Sequence, residues 1–139
     1  MKEPTQIDIQ LASSEDAAQI LALQKIAYQS EAEIYGDYDI PPLLQTLESI
    51  QNDFQNHIFL KALDQNQIIG SIKLSQQNGT CHIERLIVEP VFQNCGVGSA
   101  LMSAVKEHFP GAKRYELFTG EKSEKNIYLY QKQGFQIFR

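Results

Sequence analysis

A glycine-rich turn that opens directly into a helix is the stretch of this chain best suited to chemistry. The turn consists of Gln93, Asn94, Cys95, Gly96, Val97, Gly98 and Ser99. Downstream, apolar residues recur at the spacing of an amphipathic helix, at Leu101, Met102, Val105 and Phe109. The first N–H groups of a helix lack intrahelical partners and lie at the positive end of the helix dipole. The pattern therefore predicts an anion site, and phosphate is the anion that such sites commonly bind.

Two common nucleotide-binding loops are excluded by the residues around these glycines. A dinucleotide-binding G-x-G-x-x-G loop needs Gly or Ala where Leu101 stands. A Walker loop needs Gly-Lys-Ser/Thr, which the chain lacks. Two glycines before a helix can also form a tight strand–helix turn that binds nothing.

The residues that lead into the turn favour a ligand-binding role. The pattern V-x-P-x-[FY]-[QR]-x-x-G-x-G is matched by Val88, Pro90, Phe92, Gln93, Gly96 and Gly98. This stretch resembles motif A of the GNAT acetyltransferase superfamily. The resemblance implies that residues 93–99 bind the pyrophosphate of coenzyme A, and that acetyl-coenzyme A is the co-substrate.

A second stretch near the end of the chain also resembles a GNAT signature. Leu129, Tyr130, Gly134 and Phe135 match L-Y-x-x-x-G-F. The resemblance implies that Tyr130 is the acid that protonates the departing thiolate. The family often has Asn seven residues before this tyrosine, where this chain has Ser123, so either Ser123 or Asn126 is expected to make that coenzyme contact.

The strand before the turn is implied to hold the reacting groups. By resemblance, backbone groups of Leu86, Ile87 and Val88 take the acetyl group and the pantetheine arm, and fixed N–H donors there would stabilise charge on oxygen. Glu84 stands where the family frequently carries the carboxylate that removes the amine proton, and we expect it on the face of Leu86 and Val88. It could instead form only an ion pair, for instance with Arg85. His82 is the alternative base.

The elements that must position these residues follow the order β-α-α-β-β-β-α-β-α-β. Alternation predicts strands at residues 7–11, 57–63, 68–74, 83–88 and 114–119, and Asn78-Gly79 is a strong hairpin signal. Helices are predicted after Ser13, from Pro41 to Phe54, through the motif, and from Ser123. The strand–helix–strand unit around the motif predicts a parallel pair in an otherwise antiparallel sheet.

The resemblance gives this order a fold: one GNAT-like α/β (α+β) domain over residues 1–139 with a mostly antiparallel sheet. Its parallel strands are expected to splay at the coenzyme site. The final seventh strand of the family is expected to be missing, clipped or supplied by another subunit, so a homodimer is one expectation.

The net charge of -5 hides an uneven distribution. Residues 1–90 carry 13 acids and 5 bases, whereas residues 91–139 carry 4 acids and 7 bases. This balance argues against a nucleic-acid-binding protein. The acids of residues 27–60 are either a solvated face or an entrance that attracts cations. We expect the acceptor pocket within residues 28–44, with Tyr35, Tyr38, Glu31, Glu33, Asp37 and Asp39.

The remaining composition narrows the class of protein. Cys81 and Cys95 have no CxxC spacing and the three histidines fit no ligand pattern, so neither a disulfide framework nor a metal site is indicated. No apolar run approaches the length of a membrane span, and the first residues do not resemble a signal peptide. We expect a cytoplasmic protein without a membrane partner.

The predicted activity is transfer of an acetyl group to a primary amine by direct attack on the thioester. A small cationic acceptor, polyamine-like or aminoglycoside-like, suits the acidic stretch. The alternatives are a peptide N-terminal or lysine acetyltransferase, and a non-catalytic acyl-coenzyme A binder or sensor. Retention of both Glu84 and Tyr130 favours the enzyme, because a binder needs only the loop.

Overall fold

A six-stranded sheet runs through the molecule, with its strands in chain order. The computed structural model describes residues 6–118 and 136–138. The strands are β1 (Asp8–Leu11), β2 (Ile58–Asp64), β3 (Gln67–Gln77), β4 (Thr80–Val88), β5 (Arg114–Phe118) and β6 (Gln136–Phe138). Neighbours from β1 to β4 are antiparallel, and β4 and β5 are parallel as predicted. β5 and β6 form a second parallel pair that the sequence did not predict.

Two short turns with left-handed backbone connect the central strands. Gln65 and Asn66 join β2 to β3 with φ of 51° and 66°, and Asn78 and Gly79 join β3 to β4 with φ of 53° and 81°. Two successive residues with positive φ are typical of the tight turns that match the twist of a hairpin. The predicted Asn78-Gly79 hairpin is confirmed.

Among the described residues, the helices are α1 (Ala17–Tyr35), α2 (Pro41–Leu44), α3 (Leu47–Asp53) and α4 (Val97–His108). The helix predicted from Ser123 lies outside these residues. The Ser13 N–H donates to Asp16 Oδ2 (2.9 Å) in the 3-10 turn that precedes α1. α1 ends at Gly36, whose φ is 65°. None of the helices among the described residues has the length and apolar character needed to cross a lipid bilayer.

The single helix predicted from Pro41 to Phe54 is wrong. The backbone leaves the helical region at Gln45 (ψ 138°), and Thr46 then caps a new helix. Thr46 Oγ1 accepts a hydrogen bond from the Ser49 N–H (3.1 Å). A good N-cap in the middle of an apolar pattern restarts the helix in a new direction, which the apolar spacing alone does not reveal.

Each face of the sheet packs on its own helices. One apolar cluster joins α4 to β2, β3 and β4, through residues such as Leu60, Ile72 and Leu101. The other joins α1 and α3 to alternate residues of the same strands, such as Phe59 and Ile87. We call these two sides the α4 face and the α1 face. The neighbouring residues of one strand therefore serve two different cores.

Candidate functional site

β4 loses its pairing with β5 halfway along its length. The parallel register runs from Thr80↔Arg114 to Ile83↔Leu117, and no later residue of β4 pairs with β5. The residues from Arg85 to Val88 keep their antiparallel partners in β3 on the other side. Among the described strands, this stretch therefore has one edge open, which we call the open edge of β4. The splayed parallel pair that the sequence predicted lies here.

A β-bulge at Glu84 marks the start of the open edge. Lys73 pairs with Arg85 while Leu74 pairs with Ile83, so Glu84 is an extra residue without a partner in β3. The bulge moves the subsequent side chains to the opposite faces. Cys81 and Ile83 lie on the α4 face before it, and Leu86 and Val88 lie on that face after it.

The prediction that Glu84 shares a face with Leu86 and Val88 is therefore wrong. The Glu84 carboxylate reaches Nε2 of His57 (2.7 Å) and Nζ of Lys73 (4.0 Å). Lys73 in turn contacts Asp53 of α3, on the α1 face. The simple alternation of a strand failed here because it took no account of the inserted residue.

The glycine turn follows directly from the open edge. The Glu89 N–H donates to the Ile69 carbonyl (2.8 Å), and a 3-10 turn over Pro90–Phe92 buries Phe92. Asn94 and Gly96 both have left-handed backbone, with φ of 65° and 87°. α4 then begins at Val97, and the Ala100 N–H already bonds to the Gly96 carbonyl (3.0 Å). The N–H groups of the first turn of α4 are thus available for an anion.

Close packing on β3 fixes the first turn of α4. A Cβ at Gly70 would lie 2.9 Å from Val97 Cγ1, 3.2 Å from Leu101 Cδ1 and 3.2 Å from the Ile87 carbonyl oxygen. Val97 and Leu101 are buried in the α4-face cluster. The side chain of Val97 therefore anchors the helix, and this residue can serve a ligand only through its backbone. Gly70 sets how deeply the anion site sits against the sheet.

Polar side chains connect Glu84 to the helices of the α1 face. Asp53 Oδ2 accepts from Lys73 Nζ (2.9 Å) and from Gln45 Nε2 (2.8 Å). Burial alone would raise the pKa of Asp53, but the hydrogen bonds from Lys73 and Gln45 and the nearby positive charges hold that pKa below its usual range. Lys73 thus lies between the carboxylates of Asp53 (2.9 Å) and Glu84 (4.0 Å). We call Asp53, Lys73, Glu84 and His57 the carboxylate cluster.

Arg85 joins the same network from β4, although it does not pair with Glu84. Its Nη1 donates to Gln45 Oε1 (2.6 Å) and Gln24 Oε1 (3.4 Å). Gln24 is buried in α1 and also donates to the Pro42 carbonyl (2.9 Å). Burial raises the pKa of the Tyr28 hydroxyl to about 12. The negative charge of Glu31 also raises this pKa, whereas the positive charge of Arg85 lowers it. Arg85 therefore ties β4 to the helices that carry the predicted acceptor residues.

The predicted acceptor residues lie at the end of α1 and in the turn after it. Tyr35 and Tyr38 are exposed, at 37% and 52% of their surface. Asp37 Oδ1 accepts from the Asp39 N–H (2.9 Å), which shapes the turn. Glu31 and Glu33 lie on the last turns of α1. The charge of Glu31 adds to the effect of burial in raising the pKa of Tyr28. The two exposed tyrosines and the acids thus lie on one continuous segment, residues 31–39.

His82, the alternative base, has a different carboxylate partner. Its Nδ1 lies 3.5 Å from Glu116 of β5, which also accepts from Arg114 Nε (2.8 Å). Cys95 Sγ lies 3.5 Å from the Gln93 carbonyl within the turn, and Cys81 is a buried free thiol whose pKa burial raises to about 11. Tyr130, Ser123 and Asn126 lie outside the described residues.

Comparison with known proteins agrees with this geometry. The model of the acetyltransferase (GNAT) family matches residues 18–135. The chain belongs to the GNAT acetyltransferase family. It is 33% identical over 120 residues to the UPF0157 protein YqkA of Bacillus subtilis (strain 168), covering 86% of this chain and 34% of YqkA. The chain thus spans about a third of the length of that relative.

Solved acetyltransferase structures have the same fold as this GNAT domain. The PaiA N-acetyltransferase from Thermoplasma acidophilum, solved with coenzyme A, superposes with a TM-score of 0.83 at 18% identity, over 95% of this chain and 91% of that one. The GNAT family protein SP0256 from Streptococcus pneumoniae TIGR4 gives 0.69 at 27% identity, over 95% and 89%. Membership therefore identifies residues 18–135 as a GNAT acetyltransferase domain.

Three members of the carboxylate cluster were missed by sequence reasoning. Asp53 ends α3, His57 precedes β2 and Lys73 lies in β3, and none of them matches the GNAT motifs found in the sequence. The one signal was Lys73, a charged residue within the apolar run from Ile68 to Leu74. A buried lysine requires a partner, so it predicts that a carboxylate lies opposite, without naming which one.

Proposed function

We propose that this GNAT domain transfers an acetyl group from acetyl-coenzyme A to a primary amine of a small cationic acceptor. The observation that carries the proposal is the continuity of the open edge of β4 with the glycine turn and the N-terminus of α4. The turn supplies N–H groups for the pyrophosphate. The open edge has no strand partner on this side among the described residues. Its backbone groups lie a short distance along the same chain and are proposed to bind the acetyl end of the coenzyme.

The coenzyme assignment rests on residues from both parts. Leu86, Ile87 and Val88 are proposed to hold the acetyl group and pantetheine arm through their backbone. The pyrophosphate is proposed to be bound by the turn residues Gln93, Asn94, Cys95, Gly96, Val97, Gly98 and Ser99. Positive φ at Asn94 and Gly96 supports this, since such backbone turns N–H groups toward one point.

The chemistry assigns one proton acceptor and one proton donor. The amine nitrogen attacks the thioester carbon, and Glu84 at the bulge takes the proton that the nitrogen loses. Backbone N–H groups of the open edge stabilise the negative charge that develops on the carbonyl oxygen. The C–S bond then breaks, and the departing sulfur takes a proton from Tyr130. Each group would act on an atom of the acetyl transfer itself.

The acceptor class is argued from charge. Among the described residues, the segment from Tyr28 to Leu44 carries four acids and no lysine or arginine, and two exposed tyrosines lie beside them. A cationic amine is attracted to such a surface and can stack on an aromatic ring. Tyr35, Tyr38, Glu31 and Asp37 are the residues that we propose to contact it.

A panel of amines tests the proposal by release of free thiol from acetyl-coenzyme A. Spermidine and sisomicin represent small polycations, and a lysine-containing peptide represents protein acceptors. Fully N-acetylated amines, which have no free amine to react, serve as blanks. We expect rapid thiol release with a polycation, and a product heavier by one acetyl group by mass spectrometry. Coenzyme binding by calorimetry without release by any amine would instead identify a binder.

A further inference from the structure

We propose that His57 and Glu84 accept the amine proton as one pair, and that His57 sets the pH at which this happens. The inference rests on the proposed function, because it concerns the proton that acetyl transfer removes. His57 acts through Glu84 and is therefore a positioning residue. It stands just before β2, between the end of α3 and the bulge of β4.

The hydrogen bonds of the His57 ring determine where its protons lie. Nδ1 faces the Asp53 carbonyl oxygen (3.3 Å) and Asn56 Oδ1 (2.6 Å). A side-chain amide can be turned over, but a backbone carbonyl can only accept, so Nδ1 carries a proton. Nε2 lies 2.7 Å from Glu84 Oε2. A carboxylate also only accepts, and two lone pairs at that distance would repel, so a proton lies between Nε2 and Oε2.

This shared proton makes the two side chains one titrating unit. Groups that interact this closely gain and lose protons as a pair. Imidazole ordinarily exchanges its proton near neutral pH, whereas an isolated carboxylate does so near pH 4. A base suited to neutral conditions should titrate close to them. The 2.7 Å contact therefore lets a proton that reaches Glu84 be shared with the imidazole of His57.

The charges around the pair come from three other elements. Lys73 of β3 lies 4.0 Å from Glu84 Oε1 and is neutralised by Asp53 of α3 at 2.9 Å. Arg85 of β4 is bound to Gln45 and Gln24. Lys73, Asp53 and Arg85 together thus place one net positive charge around the pair.

The proton balance of the step is complete. The structure, with its 2.7 Å contact, represents the protonated pair. In the active form the proton between Nε2 and Oε2 has been lost to water, and the two atoms lie farther apart. As the amine attacks the thioester carbon, the C–N bond forms, and the proton from nitrogen passes to Glu84 and is held between the carboxylate and His57. The C–S bond breaks, and the sulfur takes a proton from Tyr130. Exchange with water returns both groups to their starting forms.

The test compares pH profiles of kcat/KM for the wild-type protein and His57→Gln, with one amine used throughout. Glutamine can still donate to Glu84, so the carboxylate keeps a partner. We expect the fall in kcat/KM on acidification to move at least one pH unit lower, and the plateau to fall about tenfold. The amine's own titration is the same in both profiles. His108→Gln, whose ring bonds to the Ala104 carbonyl in α4, is the control.

An unchanged acid side of the profile in His57→Gln would overturn the proposal, and so would a shift seen in His82→Gln instead. A second measurement does not depend on turnover. Nitrogen-15 spectra of the histidine rings at pH 6.5 should show protons on both ring nitrogens of His57, and Glu84→Gln should remove the one on Nε2. If no amine releases thiol, the proposed function fails, while these spectra still decide whether the pair exists.

Discussion

The two faces of the sheet are held in place by different forces. On the α4 face, the glycine turn is positioned by apolar packing, with Val97 and Leu101 pressed against Gly70. On the α1 face, Glu84 is positioned by hydrogen bonds and charges that link it to His57, Lys73 and Asp53. Packing gives a rigid support for a cofactor that every turnover uses. The carboxylate cluster is polar, which suits the proton transfer that we propose for Glu84.

The comparison predicts that the faces can be damaged separately. Lys73→Met should lower the free energy of unfolding by about 2 kcal/mol, because it leaves the Asp53 carboxylate partly buried without its cation. The acetyl-coenzyme A dissociation constant should not change. Urea denaturation and calorimetry on the same variant measure the two quantities.

Lys61→Met is the matched control for that change. Lys61 of β2 pairs with Asp16 at 3.0 Å, which is also a contact between a strand and the end residue of a helix, but it lies away from Glu84. Lys61→Met should lower the free energy of unfolding and leave kcat/KM unchanged, whereas Lys73→Met should lower both quantities. Equal kcat/KM in the two variants would mean that the carboxylate cluster has no part in turnover.

The stability effect of Lys73→Met should also depend on pH. The folded-state pKa of Asp53 is lowered, so its contribution to stability is present above about pH 4 and is lost as the pH falls through that lowered value. The difference in unfolding free energy between wild type and variant should therefore shrink from pH 6 towards pH 3. A constant difference over that range would contradict the assigned ion pair.

On the α4 face, Gly70→Ala should act through packing. The new Cβ meets Val97 Cγ1 at 2.9 Å and a backbone oxygen at 3.2 Å, so the first turn of α4 must move. We expect a loss of roughly 1.5 kcal/mol in stability and several-fold weaker coenzyme binding. Gly111→Ala is the control, because its Cβ would meet nothing within 4 Å. Equal coenzyme affinities for the two variants in calorimetry would show that the packing at Gly70 does not affect coenzyme binding.

Within the turn itself, Gly96→Val should weaken acetyl-coenzyme A binding about tenfold, or roughly 1.4 kcal/mol. Gly96 has φ of 87°, which a branched side chain resists, and a side chain here would also approach the proposed pyrophosphate. Gly36→Val imposes comparable backbone strain at φ of 65°, away from the turn. If both variants bind the coenzyme as the wild type does, the turn does not hold it.

The smallest expected effect concerns the acids of the acceptor segment. Replacing Asp37 and Asp39 together by Asn should raise KM for a cationic amine about threefold at low salt, with a smaller change at high salt because screening already weakens the attraction. Initial rates at two ionic strengths measure this. A KM that responds to neither charge nor salt would leave these acids as a solvated face.

Much of the proposed coenzyme site was predictable because its residues are neighbours in the sequence. The turn, its glycines and the helix that follows are consecutive residues, and the Asn78-Gly79 hairpin that leads into β4 is a two-residue signal. The parallel pairing of β4 with β5 follows from the handedness of a strand–helix–strand connection. Local backbone preferences decided all of these features.

The sequence by itself determined the class of fold, the family and the anion turn. Only the tertiary structure decided what surrounds Glu84. One inserted residue in β4 turns its carboxylate from the face of Leu86 to that of α3, and this bulge depends on pairing with β3. The pairing of His57 with Glu84 likewise joins residues 27 positions apart in the sequence. Such contacts depend on how the strands and helices pack, and no local pattern in the chain specifies them.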